Sequence, residues 1–422
     1  MNNEIKEKII GILRKTERIT GTDNVYLAKN NFYLWVMQGI NVLNGFVLYI
    51  LIAHFLPKEI YGQYKYLLSL YGLFSITTLT GVDTALARAA ALDKDGSLKA
   101  AFRLKLLGGV VGSLIAVGLA LYYSFQGRPD LMWPLLAIAV FSPVIYASMV
   151  GYSFLSGKKR FDLFCKASIA TTLIYFLGMA MAIVFLRSPV QIILVYLVSN
   201  SAVFGVYLYA RSLTKNREID TGMRDLAVHL SALDVLGIIA NQIDGVLIFH
   251  FLDASSLAIY SLATIPVEQM KGFLKSVQSS AFPKFATADI TGIKKTLNRK
   301  IAIFMLGITF LMLIYIILAK PFFSLFFPHY LSSVPYSQVY SLSIVFGIPA
   351  SLVLTLFQAK ALKQEYTVFN IANYSIQILM LVVGCWLYGL WGAIFARVIS
   401  RLLMLVSTQL LFRHVKASKI PV

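Results

Sequence analysis

Two stretches of this chain place ionisable side chains inside apolar sequence. In the first, Asp234, Gly237, Asn241 and Asp244 follow at intervals of three, four and three residues, with Gln242 beside them. In the second, Thr264, Glu268, Lys271, Lys275 and Gln278 share one stripe if the segment is helical. An ionised group in hydrocarbon is costly, which makes each of these a functional candidate. Two chemistries are open to them. Lysines facing a water-filled cavity suit a phosphate, and acids there suit a coupling cation such as H+ or Na+. The charges could also do no more than pair. Glu268 has Lys271 within reach on its own helix. Counting ~1.5 Å per residue brings Asp234 and Lys275 to a common depth, ~27–29 Å from the far helix ends, so an interhelical pair is expected.

Further polar positions accompany these stripes. Gln38, Asn41 and Asn44 recur at three-residue steps, followed by Gly45. Asp83 and Arg88 close another apolar run, and Arg88 is expected at the mouth of any cavity. As a functional group it offers a bidentate contact to a pyrophosphate; otherwise it is one more basic residue at a membrane surface. Arg397 and Arg401, four apart, fall on one helix face and are expected toward the basic side of the membrane. Lys65, Lys166 and Lys360 are read as snorkelling side chains. Cys165 and Cys385 both lie in apolar runs and read as reduced packing residues. No Cys/His cluster has metal-ligand spacing. Gly151 to Lys159 looks like a phosphate loop but has five residues between its glycines instead of four, and a lysine where Ser or Thr is required.

The elements that carry these residues follow from composition. The chain has 422 residues, 58% hydrophobic and only 14% charged, with a mean hydropathy of +0.74. A soluble domain could not cover such a sequence with polar surface. The runs are each near the roughly 20 residues a bilayer requires. They read as twelve helical spans, near 31–55, 61–87, 101–126, 131–156, 163–186 and 190–211, then 226–252, 256–284, 299–319, 335–360, 366–388 and 390–412. The connections are short and leave no room for an extramembrane catalytic domain. The domain reading is an N-terminal segment 1–30, a six-helix lobe 31–212, a linker 213–225, a second six-helix lobe 226–413 and a tail 414–422. Spacing of Ile5, Ile9, Ile12, Leu13 and Ile19 suits an amphipathic helix on the membrane surface, or a disordered basic tail.

Net charge is +19, and its distribution explains it better than nucleic-acid binding does. Basic residues crowd the N-terminal tail and the even-numbered connections: Lys94 and Lys99, then Lys158 to Arg160, then Lys215, Arg217 and Arg224, then Lys284, Lys294 and Arg299. The odd-numbered connections are nearly bare, with Lys58, Arg128, Arg187 and Lys320. This alternation predicts both termini in the cytoplasm and an inner surface that meets anionic lipid. The chain also repeats itself. Leu51-Ile52-Ala53-His54-Phe55-Leu56 recurs 196 residues later as Leu247-Ile248-Phe249-His250-Phe251-Leu252, with Tyr64 then falling on Tyr260 and Arg88 on Lys284. Six spans per half keep the halves in one orientation, so their pseudo-two-fold axis should run along the membrane normal. The histidines sit at helix ends and read as interfacial packing groups.

A family resemblance rests on several of these segments. Phe55-Leu56-Pro57-Lys58-Glu59-Ile60-Tyr61-Gly62-Gln63-Tyr64 and Gly81-Val82-Asp83-Thr84-Ala85-Leu86-Ala87-Arg88 resemble the opening of O-antigen and polysaccharide flippases. Asn241-Gln242-Ile243-Asp244, Ala258 to Ala263 and Pro283-Lys284-Phe285 resemble the start of their second half, and 330–363 also follows the pattern. The resemblance implies the superfamily joining multidrug exporters, lipid-linked oligosaccharide flippases and polysaccharide exporters. It implies an all-α fold of two six-helix lobes around a cationic central cavity. It implies a polyprenyl-diphosphate-linked oligosaccharide as substrate, a bacterial inner membrane, and room for polysaccharide polymerase and chain-length machinery as partners. By motif position it marks Arg88, Asp244 and Lys284.

The expected mechanism is alternating access, without a cofactor. Spans one, two, seven and eight line the cleft. Arg88, Lys271, Lys275, Lys284, Arg397 and Arg401 hold the diphosphate, and Asn41, Asn44, Asn241 and Gln242 meet sugar hydroxyls. Asp83, Asp234, Asp244 or Glu268 couples an ion. A drug or organic-cation antiporter on the same architecture is the rival reading; it suits an acidic or apolar cavity, and the lysine stripe counts against it. A membrane-embedded polymerase would need a large polar outer loop, which this chain lacks.

Overall fold

A computed structural model describes residues 24–287, 290–359 and 363–414, with side chains over 32–272, 299, 301–357 and 366–412. Every regular element among them is helical. The first half contains α1 (Asn24–Phe55), α2 (Lys58–Phe74), α3 (Gly81–Ala91), α4 (Ser97–Phe125), α5 (Pro129–Ser148), α6 (Val150–Gly157), α7 (Phe161–Phe185), α8 (Pro189–Asn200) and α9 (Val203–Ser212). The second contains α10 (Met223–Phe251), α11 (Ala254–Thr287), α12 (Ile290–Phe326), α13 (Val334–Ala359) and α14 (Lys363–His414). Each expected span lies on one of these helices or on a broken pair of them. Nine stretches of described residues are long and apolar enough to cross a membrane. The N-terminal segment's amphipathic pattern and the tail beyond 414 lie outside the described residues.

Two local features shape the expected spans. Span two is not one helix. The hydroxyls of Ser75, Thr77 and Thr78 donate back to Gly72 O, Phe74 O and Ser75 O at 2.6, 2.9 and 2.7 Å. Such bonds compete with the helical ladder, and the run tightens to a 3-10 turn over Ser75–Thr78 before Leu79 takes a left-handed φ of 56°. The chain then re-enters a helix at Gly81. In α14 the break is a reversal. Gly389 has φ 57° and ψ −132°, and a Cβ on Gly392 would lie 1.8 Å from Gly384 O. Residues eight apart on a straight helix stand ~12 Å apart at ~1.5 Å per residue, so the chain folds back here into two antiparallel helices, the expected spans eleven and twelve.

The connections segregate by charge in space as they do in sequence. Lys158 pairs with Asp93 at 2.7 Å and with buried Asp95 at 2.5 Å. Asp95 also accepts the Lys215 backbone N–H at 2.7 Å, and Lys94 pairs with Glu218. Three even-numbered connections therefore meet at one end of the molecule, here the basic end. At the opposite end Arg187 donates to Phe55 O at 2.5 Å, Arg128 lies over the Phe249 ring at 5.6 Å and Lys58 over the Tyr330 ring at 5.3 Å.

The lobes meet mainly through α2 and α3 of the first against α10 and α11 of the second. Glycine sets the approach. A Cβ on Gly62 would lie 1.7 Å from Ala254 O, one on Gly245 2.0 Å from Ser69 Oγ, and one on Gly81 2.5 Å from Ala227 O. Tyr66 stacks on Phe249 with ring centroids 4.0 Å apart, and its hydroxyl bonds Tyr123 Oη at 2.7 Å and His250 Nε2 at 3.1 Å. The repeated histidines have thus diverged: His250 joins the lobes, while His54 bonds Ile50 O of its own helix at 2.9 Å. The first lobe is filled with tyrosine, Tyr71 stacking on Tyr146 at 4.7 Å and Tyr196 edge-on to Tyr64, Tyr71 and Tyr175.

Gly62→Leu should force the lobes apart at the end opposite the basic one and cost about 1–3 kcal/mol, as overpacked cores do. Thermal melting of the detergent-solubilised protein measures this. A variant as stable as the wild type contradicts the backbone approach of α2 to α11.

Candidate functional site: a charged cavity between the lobes

A cavity of about 360 Å³ lies between the lobes. Tyr49 comes from α1, Lys65 and Ser69 from α2, Asn241, Gln242 and Asp244 from α10, Thr264 and Glu268 from α11, Tyr340 from α13, and Arg397 and Arg401 from α14. The four spans expected to line it do so, joined by the tenth and twelfth. Asp244 stands seven residues before the end of α10 and Arg397 eight residues after the Gly389 turn. At ~1.5 Å per residue both are ~10–12 Å from the end opposite the basic one. Arg397 and Arg401 are therefore not on the basic side, as counting along span twelve suggested; register with Asp244 holds them toward mid-membrane.

Burial forces these charges into defined partnerships. Arg397 and Asp244 are each 7% exposed and form a bidentate pair, with Arg397 Nε 2.6 Å from Asp244 Oδ2 and Nη2 on Oδ1. Tyr260 donates to the same carboxylate at 2.5 Å, and Arg397 Nη2 also donates to Ala240 O at 2.9 Å. Gln377 donates to that carbonyl too, at 2.9 Å. The pair is neutral and nearly saturated. Lys271 is likewise engaged: it donates to Glu268 Oε1 at 2.6 Å, Tyr340 donates to that oxygen at 2.5 Å, and the ammonium sits 4.8 Å above the Tyr340 ring. The Glu268–Lys271 pair that the i, i+3 spacing allows is therefore made.

The cavity's excess positive charge comes from other residues. Lys65 and Arg401 line it without an ion-pair partner among the described residues; the one polar contact described for the Arg401 guanidinium is Met404 Sδ, at 3.5 Å. Lys65 is thus a cavity residue and not the snorkelling lysine its sequence position suggests. Its signal was present: Gly62, Lys65, Ser69 and Gly72 repeat the three, four, three spacing of the Asp234 stripe. Gly72 lies so close to α10 that a Cβ would meet the Gln242 amide carbon at 2.5 Å.

The other expected residues are dispersed. Asp83 pairs with buried Lys105 at 2.5 Å and accepts from Ser153 at 3.0 Å, inside the first lobe and away from the cavity. Arg88 is exposed on α3 and is not among the cavity-lining residues. Asn41 accepts from Thr172 at 3.0 Å, which ties α1 to α7 and leaves it out of the cavity lining. Asn44 is also absent from the lining, and its Nδ2 is buried without a described partner. Asp234 accepts from Thr80 at 3.0 Å. The side chains of Lys275 and Lys284 lie outside the described residues, and with them the expected Asp234–Lys275 pair. No group of three metal-ligating side chains occurs among the described residues.

Beside the cavity runs an apolar groove of about 330 Å³, between α1, α11 and α12. Phe46, Pro266, Met270, Tyr315, Phe322 and Phe327 line it, and Ile265 and Gln269 line both groove and cavity. A charged compartment and a greasy one thus share a wall.

Comparison with known proteins follows from this geometry. A family model described as polysaccharide biosynthesis protein matches residues 27–288. A search of curated proteins found no match. Solved structures share the fold. An inward-facing multidrug resistance MATE family transporter of the MOP superfamily aligns with a TM-score of 0.64 at 14% identity, covering 88% of this chain and 94% of that one. The lipid II flippase MurJ, in an inward closed conformation, aligns with a TM-score of 0.64 at 13% identity over 91% of this chain and 88% of that one. An outward-facing MATE transporter gives 0.58 at 15% identity, over 90% and 93%. The chain therefore has the MATE-like fold expected from its two halves.

Arg397→Met should strand Asp244 as a buried unpaired charge and cost about 3–5 kcal/mol, while Arg397→Met/Asp244→Leu should recover most of that loss. Melting temperatures of the two variants decide it. A double variant no more stable than the single one contradicts the pairing.

Proposed function

We propose, from the premise that this chain belongs to the polysaccharide biosynthesis protein family, that it is a flippase for a polyprenyl-diphosphate-linked oligosaccharide. The observation that carries the reading is the shared wall between a cavity with unpaired Lys65 and Arg401 and an apolar groove. A lipid-linked diphosphate has this division of character: a compact double anion joined to a long hydrocarbon. Arg401 offers a planar fork for phosphate oxygens and Lys65 a mobile point charge. The prenyl chain runs along the groove at Phe46, Pro266 and Phe322 and into the bilayer, so the site need not enclose it. Fold neighbours that carry names are MATE transporters and a lipid II flippase, and the chain is read in the same way, as a carrier and not an enzyme.

The positive-inside pattern supports a reading with the basic end and both termini in the cytoplasm, and the family resemblance supports a bacterial plasma membrane. In this arrangement the lobes are zipped together at the outer end by Tyr66, Phe249 and His250. Translocation to the outer leaflet follows when that contact opens. Asp244 and Glu268 are the candidate coupling acids for H+ or Na+. Each holds a cation that an incoming phosphate would compete for, so substrate and ion occupancy are linked through Arg397 and Lys271. An organic cation is disfavoured by the net positive charge of the cavity.

Lys65→Ala/Arg401→Ala protein, reconstituted in vesicles with lipid-linked oligosaccharide, should lose transport at least tenfold, since each charge-assisted hydrogen bond is worth about 1.5–3 kcal/mol. Melting should stay near wild type, because neither cation has a described carboxylate to abandon. Transport at the wild-type rate rejects the cationic site.

A further inference from the structure

A second polar compartment lies between α10 and the first half of α14, toward the basic end, with a volume of about 400 Å³. Its polar lining is Asp234, Asn241, Tyr366, Thr367, Asn370 and Tyr374. Asp234 and Asn241 are exposed and the other four are half-buried. Irregular polar surface of this kind within a membrane helix pair requires water or a polar ligand. Only Asp234 has a side-chain hydrogen bond to another described residue, from Thr80. The amides of Asn241 and Asn370 and the hydroxyls of Tyr366 and Tyr374 find no such partner, which leaves their donors and acceptors open. At Gly237 the Tyr374 ring lies beside the backbone of α10, 3.4 Å from where a Cβ would stand.

Charge separates this cleft from the central cavity. No cation lines it among the described residues, and it carries the carboxylate of Asp234, so it repels phosphate. What it presents instead is two tyrosine rings, two amides, one carboxylate and a hydroxyl. A pyranose ring matches that set. Its C–H face is apolar and flat enough to lie on an aromatic ring, and its equatorial hydroxyls both donate and accept. Asn241 lines both compartments, so a ligand in the cleft is contiguous with one in the cavity.

We propose that the cleft between α10 and α14 is a saccharide subsite that holds neutral sugar rings of the head group while Lys65 and Arg401 hold the diphosphate. This rests on the flippase reading and deepens it. Tyr366, Asn370 and Tyr374 become specificity residues, and Asp234 selects against acidic sugars.

The test compares two ligands on purified protein in nanodiscs: bare polyprenyl diphosphate, and the lipid-linked oligosaccharide fraction extracted from the producing cells. Asn370→Ala and Tyr366→Ala should each weaken binding of the oligosaccharide-bearing lipid roughly tenfold, about one hydrogen bond or ring contact, and leave the bare lipid unchanged. Tyr374→Phe should retain more affinity than Tyr374→Ala, and melting curves identify any variant that fails to fold. Equal loss on both ligands, or no loss on either, overturns the subsite. Lys65→Ala/Arg401→Ala should weaken both ligands; if it weakens neither, the diphosphate reading fails on its own account, whatever the cleft variants do.

Discussion

An ionised side chain cannot be left alone in hydrocarbon, and the second lobe is arranged around that constraint. Arg397 and Asp244 satisfy one another from α14 and α10, with Tyr260, Gln377 and the Ala240 carbonyl completing the shell. The pair fixes the register of the helix that follows the Gly389 reversal. It thereby brings Arg401, one turn further on, to the wall between the lobes. A hydrophobic replacement of similar volume would hold the helices as well, but it would not supply a guanidinium that a competing anion could draw away from its acid.

The two halves divide labour. At the offset that superposes the repeated Leu-Ile-x-His-Phe-Leu, Asp244 falls on Leu48, Glu268 on Gly72 and Lys271 on Ser75. The first half fills its interior with stacked tyrosines and breaks its second span at Leu79; the second half keeps that span as the continuous helix Ala254–Thr287 and places its charges there. Duplicated sequence thus yields one lobe that is a tyrosine-packed wall and one that carries most of the cavity's ionisable groups, with Lys65 as the first lobe's contribution. The close glycine contacts along α2 and α3 let the wall approach without filling the cavity.

Much of this was legible in the sequence. Run lengths and the alternation of basic connections gave the helices and their grouping, because hydrophobic thickness and charge placement act locally along the chain. The stripe Asp234 to Asp244 pointed to the lobe interface for the same reason. Partnerships were harder to read. Arg397 is expected nearer the basic side, although the same count from Leu390 leaves it only ~10 Å from the other end; its pairing with Asp244 is what shows the level at which it sits. Asn41 looked like a ligand group, yet it bonds Thr172 on a helix more than a hundred residues away. Lys65 reads as a snorkelling lysine when taken alone, although its spacing from Gly62, Ser69 and Gly72 repeats that of the Asp234 stripe. Periodicity identifies a face; which neighbour that face meets is a tertiary fact.

The central claim is that the cavity between the lobes is open in turn to the two sides of the membrane. Thr264 lines the cavity and is half-buried, so a single cysteine there, in a background without Cys165 and Cys385, reports access to a membrane-impermeant thiol reagent. In oriented vesicles, labelling should occur from the cytoplasmic side in the resting protein and should appear from the outer side once lipid-linked oligosaccharide and an ion gradient are supplied. Labelling that stays confined to one side throughout active transport would contradict the account.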